Sequence, residues 1–340
     1  MQNFLESIPR TESIWRSIIL FGRNVASYKF ALGKALIELA EKEATFISLE
    51  NLAEPYARHL SEHLKANDKQ GTFSSSRFLN KVREFNRDEC SKSELLASTV
   101  SLGFNNVIDA FHIVGRGEVP QRFFMDERSQ RKGIVITDNL LQLKAQLQFS
   151  NLPLEVEARW RLVETAWSLN INPKLLEVKY DSVDDLLFTQ FNDFKRINIT
   201  SSRDSLNGYQ KGKCFYCYRE IVIDDSAPDS LADVDHFFPH VLKTEIPEVN
   251  IDGVWNLVLS CSECNRGVGG KFELIPKIKL LERLHARNEF LISSHHPLRE
   301  TIINQTGATP EKRIGFLQRM DQKAINLIPT RWQPRECYEF

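Results

Sequence analysis

The sequence lacks three features that would place it in a special class of protein. Its longest apolar run near the N-terminus, Ile18 to Phe21, is far too short to span a bilayer or to form the core of a signal peptide. It has no internal repeat or low-complexity segment. It also has little excess charge, with 44 basic against 45 acidic residues and a net charge of -1. We therefore expect a cytoplasmic protein without a membrane partner, in which any nucleic-acid binding depends on locally concentrated basic residues.

The 340 residues are enough for two domains, each with its own core. Helical periodicity of apolar residues over 1–200 predicts a mostly helical domain, including helices over Leu49–Leu64, around Trp160 and over Val183–Asn198. We expect the large aromatic residues there to be core. After residue 200, cysteine, glycine, aspartate, histidine and proline become frequent. The expected class is α+β: a helical domain (1–200), a smaller domain with short strands (201–292) and a C-terminal helical extension (293–340).

Four of the six cysteines form two C-x2-C pairs, Cys214 with Cys217 and Cys261 with Cys264. In a reducing compartment such pairs are typical of metal binding rather than of disulfides. Zinc favours four thiolates in a tetrahedron, and four protein ligands leave no open position for catalysis. The spacing therefore predicts one closed, structural Zn²⁺ site that joins the two ends of a small module. Two unrelated pairs, or a redox pair, are the alternatives.

Polar residues between and after these pairs form a second pattern. Asp235 and His236 are adjacent where a strand is expected to open into a loop, and Asn256 and Asn265 follow. Each alone is a weak signal. A histidine beside an aspartate is often a hydrogen-bonded core pair, and a lone asparagine often caps a helix.

Taken in order, the D-H-x-x-P segment Asp235–Pro239, the Asn256-Leu257 pair and the C-x2-C-N-R-G segment Cys261–Gly267 resemble the HNH, or His-Me finger, nucleases with their ββα-metal motif. The resemblance is confined to the module between about Arg203 and Arg287, and the cysteine pairs match the zinc-bearing branch of that family. The glycines after Asn265 depart from it. Because glycine weakens a helix, we expect the following helix to begin late, at Pro276 or beyond.

The resemblance implies a role for each matching residue. His236 would be the general base that activates water, and Asn256 would fix the loop that carries it. Asp235 and Asn265 would bind the catalytic Mg²⁺ or Mn²⁺, since such hard cations prefer oxygen ligands. A neutral imidazole can accept a proton from water near neutral pH, and a metal ion can neutralise charge at phosphorus.

Several alternatives remain open around this set. Asp233 is a rival metal ligand, because strand alternation places it on the same face as Asp235. His240 is either a site residue or an ordinary loop residue. A local excess of basic residues would bind phosphates without reading bases, unless it is only a solvated helix face. Its members after Asn265 are Arg266, Lys271, Lys277, Lys279, Arg283 and Arg287.

The expected function is therefore divalent-metal-dependent cleavage of DNA by an HNH endonuclease, one strand per site, with the helical domain in a targeting or regulatory role. The overall layout also resembles standalone HNH proteins of bacterial phage-defence loci, such as the type II Zorya effector, which implies an antiviral role with protein partners from that system. The alternatives are a restriction endonuclease specific for a sequence or a modification, and a non-catalytic, zinc-stapled nucleic-acid-binding module.

Overall fold

The computed structural model describes residues 10–21, 26–41, 45–72, 75–115, 117–145, 149–169, 178–181, 186–191, 195–223 and 231–335. Within these ranges it combines helices with small sheets, as expected for the α+β class. The chain divides into two compact units, Met1–Pro173 and Lys174–Phe340. In the described ranges, no helix is both long and apolar enough to cross a membrane.

Unit 1 is built mainly of helices. A serine caps each of three of them, and Ser76, for example, accepts a hydrogen bond from the backbone N–H of Leu79. The helices are α1 (Thr11–Phe21), α2 (Tyr28–Ala40), α3 (Leu49–Ala66), α4 (Arg77–Asn86), α5 (Lys92–Ser98), α6 (Val107–Ala110), α7 (Arg128–Arg131), α8 (Asp138–Lys144) and α9 (Leu152–Leu169). A π-helical turn, Thr99–Gly103, follows α5, and a 3-10 turn, Phe149–Asn151, precedes α9.

Two small sheets complete unit 1. One contains β1 (Phe46–Ser48), β4 (Phe124–Asp126) and β5 (Gly133–Ile136), and the other pairs β2 (Ile113–Val114) with β3 (Gly117–Glu118). The helices and the larger sheet enclose one apolar core, in which Trp15, Phe30 and Trp160 are almost fully buried. The expectation that the large aromatics of this region are core is confirmed for these three.

The helix predicted over Val183–Asn198 is wrong. The described residues of this segment lie in strands β7 (Leu186–Phe191) and β8 (Lys195–Ser201), and residues 183–185 and 192–194 lie outside the described ranges. With β6 (Val178–Asp181) the two strands form an antiparallel sheet that belongs to unit 2. The segments are rich in leucine, phenylalanine, isoleucine and threonine. Over so short a stretch periodicity does not separate helix from strand, and pairing with neighbouring strands decides.

The elements that carry the candidate site follow in unit 2. They are α10 (Ser202–Gln210), β9 (Asp233–His236), α11 (Leu242–Glu245), a 3-10 turn (Val254–Asn256), β10 (Leu257–Ser260) and α12 (Ser262–Arg266). Strands β9 and β10 pair antiparallel, with His236 opposite Leu257. The remaining elements are β11 (Ile275–Pro276), α13 (Ile278–Ser293), α14 (Arg299–Thr306), α15 (Pro310–Leu327) and β12 (Arg331–Trp332). As expected, the helix after the glycine-rich loop begins late, at Ile278.

Candidate functional site

The first cysteine pair lies in a tight turn. Tyr218 N–H donates to the Cys214 carbonyl at 3.0 Å, and Cys214 N–H donates to the Arg219 carbonyl at 2.8 Å. Tyr218 has a left-handed backbone with φ 66°, which brings the chain back on itself. Phe215 N–H then donates to the carbonyl of Leu259 in β10 at 2.9 Å. The first knuckle is therefore anchored on the strand that leads directly to the second cysteine pair.

The second pair lies where β10 passes into α12. Cys261 precedes the helix, and Cys264 lies within it. The helix ends at Gly267, where an added Cβ would approach the Cα of Glu263 to 2.7 Å. Only glycine therefore allows the chain to turn so closely over the short helix.

The four cysteines meet in one buried cluster. Their sulfurs all lie within 4.8 Å of one another, and the Sγ atoms of Cys217 and Cys261 are 3.8 Å apart. A tetrahedral zinc–thiolate site with bonds of about 2.3 Å has edges of about 3.8 Å. The cluster could therefore bind a metal ion such as zinc without rearrangement of its backbone. It is the only group of three or more cysteine, histidine or acidic ligands that qualifies among the described residues.

The paired strands set the directions of the polar residues. Along β9, alternation places Asp233 and Asp235 on one face and Val234 and His236 on the other. All of β10 is buried. The side chains that the sequence pattern grouped together thus leave β9 in two directions.

Asn256 fastens the turn that follows His236. Its side chain is fully buried, its Oδ1 accepts from Phe238 N–H at 2.8 Å, and its Nδ2 donates to the carbonyls of Phe238 and Ile251, each at 2.9 Å. Its backbone carbonyl accepts from Phe237 N–H at 2.8 Å. A buried amide with these bonds fixes the exit of β9 and hence the base of the His236 side chain.

His236 lies in a polar group centred on Asp252. Its Nε2 is 3.0 Å from Asp252 Oδ1, and Nε2 of His240 is 3.4 Å from the same oxygen. Lys243 Nζ is 2.6 Å from Asp252 Oδ2. The hydrogen bond from His236 holds the pKa of Asp252 well below its usual value. The His236 ring also contacts the ring of Tyr180 in β6, with centroids 5.8 Å apart.

Asp235 is held away from solvent on the other face. Tyr216 donates its hydroxyl to Asp235 Oδ2 at 2.6 Å, and Lys271 Nζ is 3.3 Å from Oδ1. The same ammonium donates to the carbonyls of His236, at 2.9 Å, and Phe272, at 3.1 Å. Burial raises the pKa of Asp235 and lowers that of Lys271, because desolvation outweighs their attraction.

Within the described ranges, no hydrogen bond joins the side chain of Asn265 to that of Asp235. Its Nδ2 donates to Asp233 Oδ2 at 3.1 Å, and Arg266 pairs with the same carboxylate at 3.0 Å. An ammonium thus lies against the Asp235 carboxylate, and the Asn265 side chain is held by Asp233 through its amide nitrogen. Binding of Mg²⁺ or Mn²⁺ by Asp235 and Asn265 therefore stays a prediction.

Most residues of the expected basic patch form contacts within the protein. Lys271 and Arg287 are buried, and Arg287 donates to the carbonyl of Val254 at 3.2 Å. Arg283 donates to the carbonyls of Phe215 and Tyr216, which fixes the first knuckle. Lys277 and Lys279 are exposed, and Arg266 is exposed while paired.

Sequence reasoning missed Asp252 and the structural use of Tyr216 and Lys271. Asp252 precedes a glycine in a turn, which is the common setting of an ordinary turn aspartate. Its relation to His236 arises only when the loop folds back on β9. Tyr216 lies between two cysteines, and no spacing rule links it to Asp235.

Comparisons with known proteins find no family model, no characterised protein and no solved structure that match the chain.

Proposed function

We propose that this protein is an HNH-type endonuclease that hydrolyses phosphodiester bonds of DNA. The observation that carries the proposal is the arrangement of His236. It stands at the end of β9, Asn256 fastens the turn behind it, and the four-cysteine cluster anchors the neighbouring strand and α12. A strand pair followed by a short helix, with a histidine at the strand end, is the layout that the resemblance implies.

The chemistry proposed for the chain's own groups is general base catalysis. His236 takes a proton from a water molecule, and the resulting hydroxide attacks phosphorus. The bond from phosphorus to the 3′-oxygen breaks, and that oxygen takes up a proton from a solvent water. The products are a 5′-phosphate and a 3′-hydroxyl. Such proton transfer contributes about 10²–10⁴-fold to a rate. In this proposal the buried cysteine cluster binds zinc and serves the fold, because four protein ligands leave no position for substrate.

The predicted catalytic Mg²⁺ or Mn²⁺ is given no step in this proposal. Asp235 is bound by Lys271 and Asn265 by Asp233, so no step is routed through an ion at Asp235 and Asn265. The DNA partner and a role in phage defence, with protein partners, remain proposals that rest on the resemblance alone. Near His236 the ammonium of Lys243 and the imidazole of His240 are exposed, and both can donate hydrogen bonds to an anionic backbone.

The buried Lys271–Asp235 pair favours a second candidate, a zinc-stapled binding module without catalysis. A nicking assay on supercoiled plasmid, with Mg²⁺, Mn²⁺ or EDTA, separates the two. The nuclease proposal expects open circular product in at least one metal condition. Binding of the plasmid without cleavage under every condition would support the module. Loss of cleavage in EDTA, with zinc content unchanged, would show that a second metal is required.

A further inference from the structure

Asp252 contacts the side chains of His236, His240 and Lys243, and the sequence motif gives no sign of these contacts. Both its oxygens are used: Oδ1 faces Nε2 of His236 and of His240, and Oδ2 faces Nζ of Lys243. Its side chain is 20% exposed, and those of His240 and Lys243 are 58% and 54% exposed. The carboxylate thus lies under a surface formed by two of its partners.

The turn that carries Asp252 is tightly held. Gly253 N–H and the Trp255 indole N–H both donate to the carbonyl of Asn250, each at 3.0 Å. Asn256 Nδ2 donates to the carbonyl of Ile251. A Cβ at Gly253 would lie 2.6 Å from the Trp255 ring, so the turn packs directly on that fully buried side chain. Because these bonds fix the backbone on both sides of Asp252, its carboxylate has a defined position relative to β9.

An ionised carboxylate can only accept hydrogen bonds. An aspartate is ordinarily ionised near neutral pH, and the hydrogen bond from His236 lowers the pKa of Asp252 further. In a neutral His236 the proton must therefore lie on Nε2, and Nδ1 keeps its lone pair. Within the described part of the chain, Nδ1 makes no hydrogen bond. It is the nitrogen left to accept a proton from water.

We propose that Asp252 is a positioning residue, which holds His236 with Nδ1 as the base nitrogen and presents His240 and Lys243 to the phosphate of a nucleic-acid backbone. This rests on the proposed nuclease function. A phosphate oxygen that approaches His236 can take over the hydrogen bond that Lys243 now gives to Asp252 and the contact that Nε2 of His240 now makes with it. The same carboxylate thereby orients the base and holds His240 and Lys243 beside it before substrate binds.

The kinetic test replaces Asp252 by Ala and by Asn in the full-length protein, with Glu245→Gln as the matched control. Glu245 is an exposed acid on α11, close in sequence to Lys243. Asp252→Ala should lower kcat for plasmid nicking by at least about 10-fold, since a misoriented base loses part of its about 10²–10⁴-fold contribution. Asp252→Asn keeps one acceptor oxygen and should retain more activity than Asp252→Ala. Glu245→Gln should match the wild type.

Nitrogen NMR of the histidine rings supplies a second measurement that does not depend on cleavage. His236, assigned by comparison with His236→Ala, should be protonated on Nε2 in the wild type and a mixture of tautomers in Asp252→Ala. Unchanged tautomer together with unchanged kcat would overturn the positioning role and leave the nuclease proposal standing. A wild type that cuts no DNA, but whose His236 tautomer changes in Asp252→Ala, would support the positioning role and overturn the nuclease proposal.

Discussion

The four-cysteine cluster and the polar residues of strand β9 find their contact partners in different ways. The four cysteines come from two distant segments and converge on one point, as their spacing predicts. The polar residues of β9 are close in sequence, yet they divide between two faces, with His236 on Asp252 and Asp235 on Lys271. When identical ligands recur at the same spacing, the sequence itself shows which residues bind together. For polar residues of different types the sequence gives no such match, because their partners come from the loops that fold back on them.

The largest effect should follow from breaking the cluster. Replacing Cys214 by Ser removes one of four ligands, and a structural zinc site supplies roughly 10–16 kcal/mol in small zinc-finger peptides. We expect unit 2 to lose its bound metal and its cooperative unfolding transition, measured by elemental analysis and circular dichroism. Cys90→Ser is the matched control, because Cys90 lies in unit 1, outside the cluster. Full metal content in the Cys214→Ser protein would rule out the four-cysteine site.

The next effect concerns the buried pair on the other face of β9. Lys271→Met should lower the free energy of unfolding of unit 2 by roughly 3–5 kcal/mol, because it leaves the Asp235 carboxylate buried without its counter-charge. The double variant Lys271→Met with Asp235→Asn should recover most of that loss in urea titrations. A Lys271→Met protein that gains Mg²⁺-dependent nicking would instead show that an ion can take the place of the ammonium at Asp235.

A smaller effect is expected in unit 1, where His63 contacts two acidic residues that are distant from it in sequence. His63 lies 2.6 Å from Glu164 and 3.0 Å from Glu157, and it stacks on Trp160. Burial lowers its pKa, but the two hydrogen bonds outweigh burial and raise it overall. Its stabilisation is therefore complete below the unfolded value of about 6.5 and is lost as pH rises through the folded value.

The measurement for this histidine is the difference in unfolding free energy between wild type and His63→Gln across pH. That difference should shrink as pH rises. The comparison removes the contributions of His59 and His112, whose pKa values burial lowers and which act in the opposite direction. A difference that grew with pH would contradict the assignment of a raised pKa to His63.

Sequence reasoning succeeded where one local rule decides the outcome. The glycines after Asn265 correctly predicted a late start for the next helix, at Ile278, and helical periodicity located Leu49–Leu64 inside α3. It failed over Val183–Asn198, where pairing among β6, β7 and β8 overrides periodicity. It also placed Arg283 and Arg287 either on a phosphate-binding patch or on a solvated helix face, whereas their guanidinium groups donate to backbone carbonyls of unit 2. Charge count alone does not reveal which cations the fold uses internally.

The polar site shows the same limit. Asn256 could be assigned to the His236 loop through the family resemblance, and its three side-chain hydrogen bonds suit that role. Asp252 could not, because a turn aspartate before glycine carries no signal of its tertiary partner. Asp233 was only a rival ligand from strand alternation, yet its carboxylate is the one that Asn265 contacts.

The most direct test of the central claim is the initial nicking rate of His236→Ala on supercoiled DNA. The substitution leaves the cysteine cluster, Asn256 and the Lys271 pair untouched, so circular dichroism and zinc content should match the wild type. Its control is His285→Ala, a half-buried histidine on α13. The account predicts a rate at least about 10²-fold below wild type for His236→Ala, the lower end for a lost general base, and an unchanged rate for the control. A folded His236→Ala protein that nicks as fast as the wild type would contradict the account.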